Sequence, residues 1–98
     1  MATSKIPNYC ILEEIECTAP TWDKNGALTQ EWTINFPTHF SSVPRFLIPR
    51  VEGTWGINSL ITEVRTINTN AFVLRITAMD SNAKGNYTIY GLKVYVYK

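Results

Sequence analysis

Residues 28–36 read LTQEWTINF, and the alternation within them decides the fold class. Leu28, Gln30, Trp32, Ile34 and Phe36 fall on one side of an extended chain, and Thr29, Glu31, Thr33 and Asn35 on the other. Side chains of a strand point to opposite faces with a period of two, so this segment predicts a strand half-buried against a core. The same pattern returns in AFVLRITAM (71–79), where Phe72, Leu74, Ile76 and Ala78 alternate with Val73, Arg75 and Thr77. It returns again in YTIYGLKVYVYK (87–98), with Tyr90, Leu92, Val94 and Val96 expected inward and Lys93, Tyr95 and Tyr97 outward. Gly91 inside this last run predicts a bulge or a close backbone approach.

Three weaker extended runs lie before and between these: NYCILEEIEC (8–17), RFLIPRVE (45–52) and SLITEVRTI (59–67). The first also fits a helical stripe through Ile11, Leu12 and Ile15, but its Cys, Tyr and Ile content and its lack of an N-cap favour a strand. Pro49 lacks a backbone donor, which places its strand at a sheet edge or at a bulge. Six such segments separated by polar, Gly- and Asn-containing loops, with no helix longer than two turns, predict an all-β, six-stranded antiparallel sandwich or barrel. The 98 residues are read as a single domain spanning 1–98.

Composition narrows the function. With 45% hydrophobic and 17% charged residues the chain is globular, and nine Lys and Arg against eight Asp and Glu leave a net charge of +1. The cations are scattered, so a basic footprint for nucleic acid or anionic membrane is missing. No apolar run approaches the length of a membrane span, and MATSKIPNYCILEE lacks the features of a signal peptide. The expectation is a protein with no membrane insertion and no classical secretion. Cys10 and Cys17 are too few for a disulfide framework and, in one extended strand, would stand about 23 Å apart, so both are read as thiols.

If successive strands run in opposite directions, the first, third and fifth loops emerge at one pole. They carry Trp22, Asp23, Asn25 and Gly26, then Trp55 and Asn58, then Asp80, Asn82 and Lys84. The other pole receives Thr38, His39, Phe40 and Ser41 and the turn Asn68–Asn70. Tryptophan beside Asp and Asn is the chemistry a sugar needs, a flat apolar face to stack on and planar groups to meet hydroxyl pairs.

The run from Trp32 to Val96 resembles the H-type lectin fold, the family of snail agglutinins and the C-terminal discoidin domain, with relatives at bacteriophage tail-fibre tips. The likeness is carried by INFPTHFSSVPRFLIPRVEG, through Phe36, Phe40, Pro44, Phe46 and Ile48, and by VRTINTNAFVLRI, through Ala71 and Phe72. It implies a six-stranded sandwich that associates as a parallel homotrimer and, for the lectins, N-acetylgalactosamine bound between neighbouring subunits. Position by position, Asp23 and Gly26 resemble the family's Asp-x-Gly with one residue too many, and Arg65 resembles its fourth-strand arginine a few residues late. Met79 and Asp80 stand where the family has a Trp-His pair, so galactosamine specificity does not transfer.

His39 is the only histidine, so any Ser-His or Cys-His arrangement would need it, and the plainer reading is a solvated loop residue. Asp23 and Asp80 could form a glycosidase-like carboxylate pair only if an apolar pocket raised one of them, which nothing in the sequence suggests. Glu13, Glu14 and Glu16 read as a solvated strand face before a calcium site. Tyr95 and Tyr97 beside Lys93 form an aromatic ridge suited to self-association.

The expectation is therefore a non-enzymatic module with no catalytic residues, metal or cofactor. Its partner is a cell-surface glycan or receptor, met through Trp22, Asp23, Asn25, Gly26, Trp55, Arg65, Asp80 and Asn82. The competing expectation is a fibre or virion trimerisation protein with no sugar site. Virion or extracellular placement follows from the first reading, and a cytoplasmic lectin is the alternative.

Overall fold

Twenty or so apolar side chains arranged with a period of two must close over one another, and two sheets do so here. A computed structural model describes residues 12–54 and 60–97. The strands are β1 (Leu12–Cys17), β2 (Thr29–Asn35), β3 (Phe46–Gly53), β4 (Leu60–Ile67), β5 (Ala71–Ala78) and β6 (Ile89–Tyr97), with one short helix, α1 (Ser81–Asn86), between β5 and β6. One antiparallel sheet has the order β1-β6-β3 and the other β2-β5-β4. The expected six-stranded sandwich is the observed architecture, and the ambiguous first segment is extended from Leu12 to Cys17.

The core is a single cluster. Leu74 and Ile76 of β5 and Val94 and Val96 of β6 are fully buried, and Phe72 and Leu92 are buried to within 1%. Both central strands are hydrogen-bonded on each side, which leaves β1, β2, β3 and β4 as edges. Pro49 accordingly lies in an edge strand, as its missing donor requires. Phe36 packs against Phe72 at 5.6 Å between centroids and meets Phe40 edge-on at 4.9 Å, closing the core beyond the end of β2. Leu28 departs from the expected inward face: it precedes the first residue of β2 and is 42% exposed.

Two bulges correct the simple alternation. Tyr90 was expected inward, yet it is 68% exposed while Ile89 is buried. The β3–β6 pairing shifts there, Glu52 facing Gly91 and Gly53 facing Ile89, so Tyr90 is the unpaired extra residue. On β4 the register shifts between Val64 and Thr66, which makes Arg65 the extra residue and lets both Val64 and Ile67 pack on the core. No non-glycine residue among those described has positive φ, so Ala71 carries no backbone strain of that kind.

Phe72→Ala is expected to cost about 3–5 kcal/mol in urea unfolding, the range for removing a buried aromatic ring. Gly53→Ala should cost about 1–3 kcal/mol, because a Cβ there would fall on the Tyr87 ring and 2.7 Å from the Thr88 carbonyl oxygen. Tyr90→Ala should change stability by less than about 0.5 kcal/mol.

Candidate functional site

The described parts of the odd-numbered loops share a pole. The Trp22 indole Nε1 donates to the Lys84 carbonyl at 2.8 Å, tying the β1–β2 loop to α1. The Thr54 amide donates to the Thr88 carbonyl at 3.0 Å, tying the start of the β3–β4 connection to the chain just after α1. At the opposite pole the Phe36 and Phe40 amides donate to the Asn70 and Thr69 carbonyls, each at 2.9 Å. Trp55 and Asn58, both assigned to the first pole from sequence, lie outside the described residues.

Within the β1–β2 loop, Asp23, Asn25 and Gly26 form one turn. Asp23 Oδ1 accepts from the Asn25 amide at 2.9 Å and the Asp23 carbonyl from the Gly26 amide at 3.1 Å. Gln30 clamps this turn from β2: its Nε2 donates to the Asp23 carbonyl at 2.8 Å and its Oε1 accepts from the Asp23 amide at 3.0 Å. An added Cβ at Gly26 would stand 2.9 Å from Asp23 Oδ2, so the absence of a side chain there is sterically useful. These hydrogen bonds hold the turn together, and the Asp23 and Asn25 side chains are exposed.

Asp80 is the N-cap of α1, its Oδ1 accepting from the Ala83 amide at 2.7 Å. Asn82 accepts twice from Asn86 Nδ2, through its carbonyl at 2.8 Å and its Oδ1 at 3.0 Å. Both residues face solvent, and both already hold the loop in shape.

Trp22 requires a correction. It is 4% exposed, packs on Trp32 at 5.9 Å and edge-on to Tyr87 at 6.0 Å, and its one donor is satisfied. A ring enclosed on this scale offers no face to a sugar; it seals the end of the core. Arg65 is also placed differently from the expectation drawn from the family. It is the extra residue of the β4 bulge, and its Nε lies 3.9 Å from Glu31 Oε2 on the solvent face of the β2-β5-β4 sheet, an oxygen that Arg75 Nε already meets at 2.6 Å.

The remaining candidates are surface groups. His39 is exposed and lines a cleft of about 350 Å³ with Glu13 and Glu14, floored by Ile15 and Phe40. Among the described residues no three His, Cys, Asp or Glu side chains converge on a metal position. Cys17 is a buried thiol whose pKa is raised by desolvation, which disfavours the thiolate. Tyr95 and Tyr97 lie on the outer face of the β1-β6-β3 sheet, where Phe46 stacks on Tyr97 at 5.1 Å and Ile48 is 48% exposed.

Sequence reasoning missed two features. Trp32 lines a cleft of about 300 Å³ with Thr18 and Asn35, because β2 is an edge strand that exposes the flank of its inward side chains. Arg45 joins Arg65 in a third cleft between β3 and β4. Edge status depends on strand order, which alternation alone does not report.

No protein-family model and no curated protein matches the sequence. Among solved structures the chain is similar to an N-truncated R1-type pyocin tail fiber, with a TM-score of 0.59 and 15% identity over 87% of this chain. It spans 66% of that chain's length. This likeness is one of fold, a tail-fibre-like sandwich. No helix among the described residues is long and apolar enough to cross a membrane.

Trp22→Phe removes the bond to Lys84 while keeping a ring, and is expected to cost about 1–2 kcal/mol in urea unfolding followed by circular dichroism. Tyr87 supplies a pH test. Its hydroxyl is fully buried with no hydrogen-bond partner among the described residues, and its pKa is pushed up to about 12 by desolvation, with a smaller contribution from Tyr90. The unfolded chain releases this proton near the ordinary value of about 10, so the folded state loses stability as pH rises from there towards 12. Tyr87→Phe should match or exceed the parent in stability at neutral pH, and its advantage should grow across that alkaline window.

Proposed function

We propose that this chain is a non-enzymatic recognition module of a tail fibre, acting as a homotrimer and meeting a cell-surface glycan or another receptor at the pole formed by its odd-numbered loops. The observation that carries the reading is the sandwich shared with the pyocin tail fiber chain, combined with a pole where exposed polar groups are held by hydrogen bonds. Rigid acceptors and donors lose little entropy on meeting hydroxyl pairs, which suits weak sites repeated in an assembly. Asp23, Asn25 and Gly26 present one polar turn, and Asp80 and Asn82 a second on α1. Trp55, expected from the sequence to supply a stacking face, lies outside the described residues. Virion placement accompanies this function, and an H-type lectin relationship is its evolutionary form.

Trimerisation is proposed through the outer face of the β1-β6-β3 sheet. Phe46, Ile48, Tyr95 and Tyr97 form its apolar part there, and Lys93 and Glu14 flank them at 3.9 Å from each other. Aromatic residues with polar tips are favoured in such contacts.

One observation favours the second reading, a fibre trimerisation protein without a sugar site: Trp22 is sealed, and Asp23, Asp80 and Asn82 each already accept a hydrogen bond. A glycan array on purified protein separates the two. The recognition reading expects signal that falls at least roughly tenfold in Asn25→Ala, a substitution that leaves the Asn25 amide bond to Asp23 in place. A folded trimer that binds no glycan establishes the structural reading. Light scattering that finds a monomer at micromolar concentration removes the assembly from both.

A further inference from the structure

Of the four edge strands, three carry a feature that blunts pairing with another chain. β1 has Glu13, Glu14 and Glu16, β3 has Pro49 and the bulge at Glu52 and Gly53, and β4 has the bulge at Arg65. β2 has none of these: its seven residues contain no proline or lysine, and its register against β5 is unbroken from Thr29 to Asn35. Its one charge, Glu31, is turned across the sheet face to Arg75 at 2.6 Å. The hydrogen-bond phase of β2 follows from the two ends of the ladder, where the Ala78 amide donates to the Leu28 carbonyl at 2.8 Å and the Phe36 amide to the Asn70 carbonyl at 2.9 Å. Bonded and non-bonded pairs alternate in an antiparallel ladder, so Gln30, Trp32 and Ile34 bond to β5 as Leu28 and Phe36 do. The N–H and C=O groups of Thr29, Glu31, Thr33 and Asn35 therefore point away from β5, and no other described residue is hydrogen-bonded to them. Beside Thr33 and Asn35 this edge opens on the cleft of about 300 Å³.

We propose that β2 pairs antiparallel with β2 of a second copy across a two-fold axis at Trp32, joining two three-stranded sheets into one of six. The strand runs from Thr29 to Asn35 with Trp32 at its centre, so full overlap sets Thr29 opposite Asn35 and Glu31 opposite Thr33 of the second copy. All four residues with outward N–H and C=O groups then face one another, and each edge is satisfied along its whole length. An axis at Glu31 would oppose two carboxylates, and one at Thr33 would set Thr29 against Pro37, which has no N–H to give. On the inner face Trp32 meets Trp32 of the second copy as a non-bonded pair, where cross-strand side chains approach closest. Trp32 is half-buried in one copy, and the pairing takes the remaining flank of both rings out of water. The contact is isologous, as a two-fold requires. It lies on the other sheet from the β1-β6-β3 face, so it doubles whatever unit that face forms and does not depend on it.

The test is amide-resolved hydrogen exchange on the whole chain from micromolar to millimolar concentration, with light scattering on the same samples. The Glu31 and Thr33 amides should slow at least roughly tenfold on concentration, while those of Trp32 and Ile34, already bonded to β5, are protected throughout. Thr33→Pro removes a donor that the fold of one copy does not use, and should restore fast exchange at Glu31 and halve the mass of the concentrated assembly. Thr33→Lys keeps the donor and sets a charge on the outer side of the edge; it should act in the same direction and decides the matter if the proline variant does not fold. The proposal is overturned if the Glu31 and Thr33 amides exchange fast at every concentration, or if they are protected in a monomer, because the edge is then covered by its own chain. It is equally overturned if the folded variants keep the parent's mass. A parent that is a trimer at every concentration ends the edge pairing and leaves the face contact standing, whereas a dimer that falls to a monomer in Thr33→Lys does the reverse.

Discussion

The contact on which the molecule depends is that of β5 with β6 through Leu74, Ile76, Val94 and Val96, four side chains with no exposure at all. Each contributes on the order of 1.5–3 kcal/mol by leaving water, and together they fix which strands are central. Once β5 and β6 occupy the middle of their sheets, the other four strands are edges, and they flank the open sides where the clefts lie. Interior packing therefore determines where the surface is concave.

Sheet order also decides what the loops must do. The chain passes from one sheet to the other between β1 and β2, β2 and β3, β3 and β4, and β5 and β6, and stays within a sheet only from β4 to β5. A crossing loop runs over an open end of the core and has to cover it. Trp22 does this from the first crossing, Phe36, Phe40 and Pro44 from the second and Tyr87 from the last, all buried or half-buried. Tyr87 fills the space left by Gly53, at the cost of a hydroxyl unpartnered among the described residues. Loop aromatics in a two-sheet fold thus serve as end caps before they are available to a ligand.

That division explains how much was legible. Periodicity of two identified β2, β5 and β6 from residues 28–36, 71–79 and 87–98, and strand direction alone grouped the loops by pole. Pro49 announced an edge strand or a bulge because a missing donor is a local property, and the edge is what the strand order gives. The fate of Trp22 was not local: a tryptophan beside Asp23 looks the same whether its ring meets solvent or α1, and Lys84, which accepts its N–H, lies 62 residues away. Asp80 and Asn82 were ambiguous for a related reason, since the short polar side chains that suit a sugar hydroxyl also suit an N-cap.

The two bulges follow one rule that the sequence does contain. In VRTI (64–67) the apolar residues Val64 and Ile67 are three apart, and in IYGL (89–92) Ile89 and Leu92 have the same spacing. An unbroken strand would send one member of each pair to solvent, whereas one extra residue between them returns both to the core. That residue is Arg65 in the first case and Tyr90 in the second, and both are exposed. Keeping Ile67 inside is thus what sends Arg65 out of step with β4. The demand of the core for one more apolar contact leaves Arg65 unpaired in the β4 ladder, and its guanidinium reaches across the solvent face of the sheet to within 3.9 Å of Glu31 on β2.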